Sequence, residues 1–464
     1  MHHRQQAGHH ARRRLGRGTW LAGLSLLAAA ACSGLLDVET PDIARPEDLT
    51  TPAGLAALRA GAFGDFSLAF SGDATPSDAQ EGQILATGLF TDEFKKTGSD
   101  PQRIAYDARR NDPAGVGAKL STFFANLHRA RQAAEATAES YNAAAPANAS
   151  EVVSEMMSLA GFVYVFLAED YCSGVPVSTL TAAGDIEYGE PLTTEALLLR
   201  AIQRFDTAIV HAQKAAKPNL EQLARVGKGR ALLSLAKFPE AAAGVASVPT
   251  SFRYEVRHAT TSPRTQNAVF FSINQLERWS MANRKGGNGT DYLDAFTRGD
   301  PRTPWVIAPD SLGFDRTAGL QYYQRLYTSL TAPIPLATGT EARLIEAEAA
   351  LHAGNVTSFR TIHNTLRATL NSARVGAIST DTMPAARQID FHFRERALWM
   401  YATGHRLGDM RRLIRQYGRT ENTVFPSGAY YRPQYPTFGT DVNFPVPFAE
   451  TNNPSSTGCI DRNA

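Results

Sequence analysis

The stretch ERALWMYATGHRLGDMRR, from Glu395 to Arg412, indicates the fold more clearly than any other part of the chain. Its apolar positions predict a helix that stops at Gly404, turns, and restarts as a second, very basic helix. Glycine suits such a helix end because it has no Cβ to oppose a left-handed backbone conformation. Charges of both signs crowd this corner, which is typical of two helices pinned together or of a solvated, salt-bridged face.

A second string, FPVPFAETNNP, covers residues 444–454. Together the two strings resemble the C-terminal signature of the SusD/RagB family of outer-membrane nutrient-binding lipoproteins. The matching positions are Glu395, Arg396, Gly404, Arg406, Asp409, Pro445, Pro447, Glu450, Asn453 and Pro454. Trp399 and Thr403 stand where the family often places acids, so we expect a somewhat different charge network here.

The resemblance implies a mainly α fold of tetratricopeptide-like helix pairs (SusD-like) with long irregular loop insertions. It also implies a non-enzymatic protein that captures an oligosaccharide, or a peptide, and delivers it to a TonB-dependent, SusC-like transporter. The signature is almost silent about the ligand. The alternative from a different class is a helical-repeat interaction lipoprotein in outer-membrane assembly, with a peptide groove and no glycan site.

The N-terminus predicts export and lipidation. Four arginines between residues 12 and 17 precede an apolar run, Trp20 to Ala31, that is too short for the roughly 20 residues of a membrane helix. Small residues then lead into Cys32, as at the processing site of a lipoprotein signal peptide. We therefore expect an outer-membrane protein anchored through lipid on Cys32 and facing the exterior. A plain signal peptide, with Cys32 an ordinary thiol, is the alternative.

Charge excludes a nucleic-acid partner. Removing residues 1–31 takes away five of the 47 lysines and arginines and no acid, leaving 42 basic residues against 45 acidic ones. The mature chain therefore has no basic surplus, and no RNP, helix-turn-helix or zinc-finger pattern is present.

Cysteine usage fits an exported protein. With Cys32 acylated, Cys172 and Cys459 remain as an even pair in a compartment where disulfides persist, which favours a bridge. Two buried free thiols are the alternative. No His or further Cys lies near either one at ligand spacing, and we expect no metal and no cofactor.

Helical periodicity organises the mature chain into parts. Apolar residues at spacings of three and four predict helices in 116–140, 151–171 and 193–216. Residues 229–241, GRALLSLAKFPEA, resemble the helix–turn–helix of a tetratricopeptide repeat, and a second copy begins at Ala347. The predicted parts are a signal peptide (1–31), a lipidated N-terminus and tether (32–52), an N-terminal TPR-like part (53–246), a loop-rich insertion (247–338) and a C-terminal helical part with an irregular tail (339–464).

The insertion contains the candidate ligand site. Eight aromatic residues lie between residues 279 and 327, and flat aromatic faces are what sugar rings stack on. The predicted ligand-binding residues are Trp279, Tyr292, Trp305, Tyr322 and Tyr323. The alternative is that these side chains form a small core for the loops themselves.

Catalytic motifs are missing from the sequence. It has no Gly-x-Ser-x-Gly elbow, no His-Glu-x-x-His and no phosphate-cradling glycine loop, so we expect no enzymatic activity. A glycosidase needs only two carboxylates, and Asp291, Asp294 and Asp300 are the candidates for that less favoured alternative.

Overall fold

The computed structural model of the protein describes residues 48–77, 79–111, 117–181, 185–379 and 383–464. The predicted signal peptide, the predicted lipidation site at Cys32 and most of the predicted tether lie outside the described residues. Within them the protein is mainly α, as the sequence predicts, and it also contains short strands that the sequence does not predict.

The helices follow one another along the whole described chain. They are α1 (Pro52–Ser71), α2 (Gln83–Phe90), α3 (Pro101–Asp107), α4 (Gly117–Ala144), α5 (Ala149–Asp170), α6 (Thr194–Lys214), α7 (Pro218–Ser234), α8 (Phe238–Val245), α9 (Ala268–Phe270), α10 (Tyr292–Thr297), α11 (Gly339–His352), α12 (Val356–Ala368), α13 (Ala385–Trp399), α14 (Arg406–Tyr417) and α15 (Glu421–Val424).

The strands pair antiparallel in twos: β1 with β7, β2 with β5, β3 with β4, β6 with β10 and β8 with β9. They are β1 (Phe94–Lys96), β2 (Val175–Pro176), β3 (Thr179–Leu180), β4 (Ile186–Glu187), β5 (Pro191–Leu192), β6 (Arg253–Val256), β7 (Trp279–Met281), β8 (Trp305–Leu312), β9 (Leu320–Gln324) and β10 (Ile334–Thr338).

Helices α1, α4, α5 and α6 form the N-terminal part of the core. Helices α4, α5 and α6 begin and end within a few residues of the three ranges that periodicity predicts. Helix α5 packs between α4 and α6 and is buried along almost its whole length. By length and composition it is the one helix in the described ranges that is apolar enough to cross a membrane, but 89% of its apolar stretch is buried inside the protein.

Two helix pairs follow, α7 with α8 and α11 with α12. A Cβ on Gly229 would lie 2.5 Å from Val245 Cγ1, so glycine is what allows α7 and α8 to approach this closely. Gly354 turns the chain between α11 and α12 with a φ of 67°, where a side chain would be strained. Helix α8 also packs on α11. The predicted tetratricopeptide-like pairs are therefore confirmed.

Residues 247–338 separate these pairs and contain the five strands β6 to β10, which include the three longest ones. Strand β6 pairs with β10 from Val256↔Ile334 to Arg253↔Thr338, so this segment leaves and rejoins the helical part at adjacent positions. Thr338 then caps α11, because its side chain accepts a hydrogen bond from the Glu341 backbone N–H at 3.1 Å.

The corner from Glu395 to Arg412 is buried rather than solvated. Arg396 Nε lies 2.9 Å from Asp409 Oδ2, and Arg412 Nη2 lies 2.7 Å from the other Asp409 oxygen. Burial alone would raise the pKa of Asp409, but the two guanidinium groups hold it well below its usual range. Glu395 is fully buried between Arg302 at 2.8 Å and Arg367 at 2.7 Å.

The helix ends earlier than the sequence predicts. Helix α13 stops at Trp399, and the chain passes through two left-handed residues, Ala402 and Gly404, before α14 begins. The Ala402 N–H donates to Glu93 Oε1 at 2.9 Å, a tertiary contact that replaces the helical hydrogen bond. Gly404 is required for the turn and not for the cap, since a Cβ there would lie 2.8 Å from Gln83 Cγ and its φ is 75°.

The string 444–454 lies against the end of α5. Phe444 is fully buried, with its ring centroid 5.0 Å from that of Phe90 and 5.8 Å from that of Tyr171. Asn453 is buried and donates to the Gly189 carbonyl at 3.1 Å. Among the other signature positions, the structure buries Pro445 and Pro447, half-buries Glu450 and exposes Pro454.

A disulfide joins Cys172, two residues after α5, to Cys459 near the C-terminus, across a separation of 287 residues. Next to the disulfide, the backbones of Ser173 and Asp461 form an isolated antiparallel β-bridge. The C-terminal segment is thereby fixed to the core both covalently and through backbone hydrogen bonds.

Candidate functional site

Two of the five predicted ligand-binding residues lie in the core. Trp279 is 1% exposed and Tyr292 is fully buried. Lys96 Nζ lies 3.8 Å from the Trp279 ring centroid, and the Tyr292 ring lies 4.7 Å from that of Tyr401. The prediction of an aromatic platform is therefore wrong for these two residues. Trp279 belongs to the short strand β7 and Tyr292 to the short helix α10. Elements this short have few side chains, so each large aromatic ring makes up much of the local core.

The other three aromatics lie on the β8–β9 hairpin and are half-buried. Trp305 meets Tyr322 edge-to-face, with ring centroids 5.2 Å apart, and its indole Nε1 donates to the Leu293 carbonyl at 3.0 Å. Tyr323 lies on the opposite face of the hairpin, because successive strand residues alternate, and its hydroxyl bonds Glu277. The structure thus brings Trp305 and Tyr322 together and separates Tyr323 from them.

Tyr322 lines an open cavity of about 330 Å³, which we call the aromatic cavity. Its wall also contains residues from β1, the loop after β7 and the C-terminal segment. Its charged, polar and aromatic lining side chains are Lys95, Asn283, Arg284, Lys285, Tyr322, Tyr431 and Phe438.

The buried carboxylate of Asp107 holds the Tyr431 side of the cavity in place. Its Oδ2 accepts hydrogen bonds from the hydroxyls of Tyr430, at 2.8 Å, and Tyr431. Lys285 Nζ is 2.5 Å from the same carboxylate. Burial raises the pKa of Tyr431 well above its ordinary value, so the phenol stays neutral. A wall fixed by such bonds is ordered before a ligand arrives, which lowers the entropic cost of binding.

Asn283 and Arg284 form the polar rim of the aromatic cavity. Asn283 accepts from the Leu293 N–H at 3.1 Å and donates to Asp294 at 3.0 Å. Arg284 Nε donates to the other Asp294 oxygen at 2.9 Å while its side chain stays 55% exposed. Both residues are therefore oriented and still have N–H groups to offer to a hydroxyl or a carboxylate.

Lys95 is the least satisfied cation of the cavity. Its Nζ donates to the Ala318 carbonyl at 2.8 Å and lies 5.9 Å from the centroid of the Tyr322 ring. Among the described residues no carboxylate forms an ion pair with it. Burial lowers the pKa of Lys95 to about 8, against a smaller opposing effect of Asp107.

A second cleft, the arginine cleft, has a volume of about 530 Å³ and adjoins the first through Arg284, which lines both. Its charged lining residues are Arg284, Asp291, Asp390, Arg394, Arg406 and Arg419. Asp291 is the centre of its ion pairs, since Arg394 lies 3.0 Å away and Arg298 also contacts it.

The sequence matches no protein-family model and no curated protein sequence. Solved structures do match over most of the chain. A laminarin-binding SusD-like protein gives a TM-score of 0.61 at 14% identity, covering 88% of this chain and 99% of that one. Surface glycan-binding protein A from Bacteroides uniformis gives 0.64 at 14% identity with the same coverage, and a SusD superfamily protein from Bacteroides thetaiotaomicron VPI-5482 gives 0.64 at 12%, covering 87% and 99%. The chain has the SusD-like fold.

Within this SusD-like fold, the acids considered for hydrolysis are all ion-paired. The hydrogen bond from Arg284 lowers the pKa of Asp294, and Asp291 is held by Arg394. Burial alone would raise the pKa of Asp300, but Arg302 lowers it below its usual value. A glycosidase needs a general acid whose pKa is raised, and neither Asp294 nor Asp300 has that property. In the described part of the chain no group of three or more His, Cys, Asp or Glu side chains could hold a metal ion.

Of the seven side chains named for the cavity, the sequence predicts only Tyr322; it does not predict Lys95, Asn283, Arg284, Lys285, Tyr431 or Phe438. Tyr430 and Tyr431 stand side by side in the Tyr- and Pro-rich tail, and that cluster was a usable signal. Lys95 and Asn283 gave none, because an isolated lysine or asparagine has no pattern that distinguishes a binding role from an exposed surface.

Proposed function

We propose that this SusD-like chain is a non-enzymatic, surface-exposed outer-membrane lipoprotein that binds a nutrient oligosaccharide. It would be anchored through Cys32 and would hand its ligand to a TonB-dependent, SusC-like transporter. The observation that carries the proposal is the aromatic cavity, where Tyr322 and Tyr431 stand beside Asn283, Arg284 and Lys95.

The composition of this wall suits a sugar. The apolar face of a pyranose ring stacks on an aromatic side chain, while its equatorial hydroxyls need directed donors and acceptors at the edge. Tyr322 supplies such a ring, and the amide of Asn283 and the guanidinium of Arg284 stand at the rim. A volume of about 330 Å³ falls in the range of small-molecule sites, and its open side leaves room for a longer chain to extend.

Two similar structures support the ligand class. One is described as laminarin-binding and the other as a surface glycan-binding protein. At 14% identity these proteins share the fold with this chain and do not identify its ligand.

Tyr322→Ala tests the site directly. We expect the variant to weaken oligosaccharide binding by about 1–3 kcal/mol, roughly 5- to 150-fold, because a stacked aromatic contributes mainly through the area it buries. The measurement is isothermal titration of the mature protein with ligands selected on a glycan array, with a peptide library screened in parallel. Tyr323→Ala is the matched control, since Tyr323 lies on the other face of the same hairpin.

Equal losses in the two variants would contradict a site at Tyr322. Binding of peptides and of no glycan would instead favour the helical-repeat interaction protein. For the transporter, we expect a plugged β-barrel encoded beside this chain to co-purify from gently solubilised outer membranes, and its absence would contradict the hand-off.

A further inference from the structure

The charges lining the aromatic cavity all have one sign. Lys95, Arg284 and Lys285 line it, and no aspartate or glutamate among the described residues does. Two of the three cations already have a carboxylate behind the wall: Lys285 binds Asp107 at 2.5 Å and Arg284 binds Asp294 at 2.9 Å. Lys95 has only a backbone carbonyl, at 2.8 Å, and forms no ion pair with any described carboxylate.

A partly buried cation without a counter-ion is unfavourable, because burial removes water that the protein does not replace. The cost is recovered when an anion enters the cavity, since a charge-assisted hydrogen bond is stronger than a neutral one. A neutral sugar would leave Lys95 in the same unfavourable state, and a cationic ligand would be repelled by all three side chains.

We infer that the oligosaccharide bound in the aromatic cavity is acidic, and that its carboxylate or sulfate ester contacts Lys95 Nζ. This inference rests on the proposed function and specifies its substrate class. Lys95 Nζ lies 5.9 Å from the Tyr322 ring centroid, so a sugar stacked on Tyr322 would bring a charged substituent within reach of the ammonium group.

Arg284 extends the preference for acidic sugars from the aromatic cavity into the neighbouring arginine cleft. It lines the aromatic cavity and also the arginine cleft, where Arg394 and Arg419 continue along the surface. Their aspartate partners limit the net charge of the cleft, so Lys95 is the determinant of specificity and Arg284 gives direction to a longer acidic chain.

The test compares matched probes on the mature, full-length protein. Oligogalacturonides are titrated beside their carboxyl-reduced, neutral counterparts, and sulfated galactan oligosaccharides beside desulfated ones, so that carboxylate and sulfate are distinguished. We expect at least one acidic probe to bind more tightly than its neutral partner. Lys95→Gln should lower the affinity for that acidic probe by about tenfold or more, because one charge-assisted hydrogen bond is lost. The affinity for a neutral glycan should not change.

Two further variants control for charge and folding. Lys95→Arg keeps the charge and should retain most of the affinity, and Lys214→Gln removes an exposed charge on α6 and should change nothing. Thermal melts establish that each variant is folded.

A pH profile supplies a readout that a merely structural role would not change. Lys95 faces Asp107, Arg284, Lys285, Tyr322 and Tyr431. Since the pKa of Lys95 is about 8, the wild type should lose affinity for the acidic probe between pH 7 and a pH of about 9.5 as the ammonium deprotonates. Lys95→Arg stays protonated over this range and should lose less. Identical profiles would overturn the role of Lys95.

The two proposals fail in different ways. If neutral glycans bind, Tyr322→Ala weakens them and Lys95→Gln changes no probe, the acidic ligand is overturned and glycan binding stands. If every neutral probe binds more tightly than its acidic partner, the acidic ligand is likewise overturned and glycan binding stands. If no glycan of either kind binds, both proposals are overturned.

Discussion

At the scale of single residues, burial separates aromatics that support the fold from those that can meet a ligand. Trp279 and Tyr322 belong to strands that are close in space, and the Ser280 hydroxyl accepts from the Tyr322 N–H at 2.9 Å. Yet Trp279 is 1% exposed with a lysine over its face, whereas Tyr322 opens into a cavity. Truncation of Trp279 should therefore lower stability, whereas truncation of Tyr322 should lower the affinity for the ligand.

Trp279→Ala should destabilise the protein by about 3–5 kcal/mol, because it removes a fully packed indole and leaves a cavity. Oligosaccharide affinity should stay within about twofold in the fraction that is folded, a small change beside that of a hot-spot residue. Chemical denaturation and titration of the same preparation measure both quantities. Unchanged stability with lost affinity would show that Trp279 belongs to the ligand site after all.

Residue spacing does not reveal this difference in advance. Both tryptophans of the insertion lie in a loop-rich, aromatic-rich segment, and a strand as short as β7 has too few residues for an alternating pattern to show which side chains point inward. The ring of Trp279 is covered by Lys96 and Arg103, which are some 180 residues away in the sequence, so local spacing does not reveal these contacts.

At the scale of elements, the buried charges between α13 and α14 fix how these helices meet. Asp409 accepts from Arg396 and Arg412, and Arg412 also contacts Glu348 of α11. Three helices are thus connected through one set of ion pairs in which each charge has its partner. Removing one member leaves the others buried without compensation.

Asp409→Asn should lower the free energy of unfolding by about 3–5 kcal/mol, since Arg396 loses its charge partner and Arg412 loses one of its two. Asp390→Asn on α13 is the control: its pair with Arg419 at 2.7 Å involves a side chain that is 53% exposed, and such a pair contributes less than about 1 kcal/mol. Denaturant titration of both variants gives the comparison. Equal effects would contradict a structural role for the buried pair.

The stabilisation that Asp409 provides through Arg396 and Arg412 depends on pH. The pKa of Asp409 is lowered in the folded state, so its stabilisation is present above the ordinary pKa of an aspartate and is lost as the pH falls below it. The Asp409→Asn variant should therefore lose less stability than the wild type on acidification.

Elements were easier to predict than their ends. Long amphipathic helices such as α6 begin and end where apolar spacing places them, because every turn repeats the signal. The sequence predicts the end of α13 five residues too late, at Gly404, because this glycine forms a turn against Gln83 that local sequence rules do not describe. The short strands of the insertion carried no such repeated signal.

At the scale of the whole molecule, the site is made of parts distant in sequence. Lys95, Asn283, Tyr322 and Tyr431 come from four separate segments, and only the fold brings them to one cavity. Two C-terminal strings suggest the SusD-like fold because they resemble the signature of that family, and the charges of the first string join α11, α13 and α14. They gave no information on a cavity formed by loops elsewhere.

The whole molecule is expected to be held at the membrane through lipid on Cys32. In the described part of the chain, the one helix apolar enough to span a bilayer is α5, and its apolar stretch is buried in the core. Acyl chains on Cys32 are the membrane anchor that we propose, and their loss should release the protein. Cys32→Ala should appear in the soluble fraction after alkaline carbonate extraction, which also strips protein held only by a partner. Cys172→Ser, which alters a different cysteine, should stay in the pellet with the wild type. Retention of Cys32→Ala in extracted membranes would contradict lipidation at Cys32 and require another attachment.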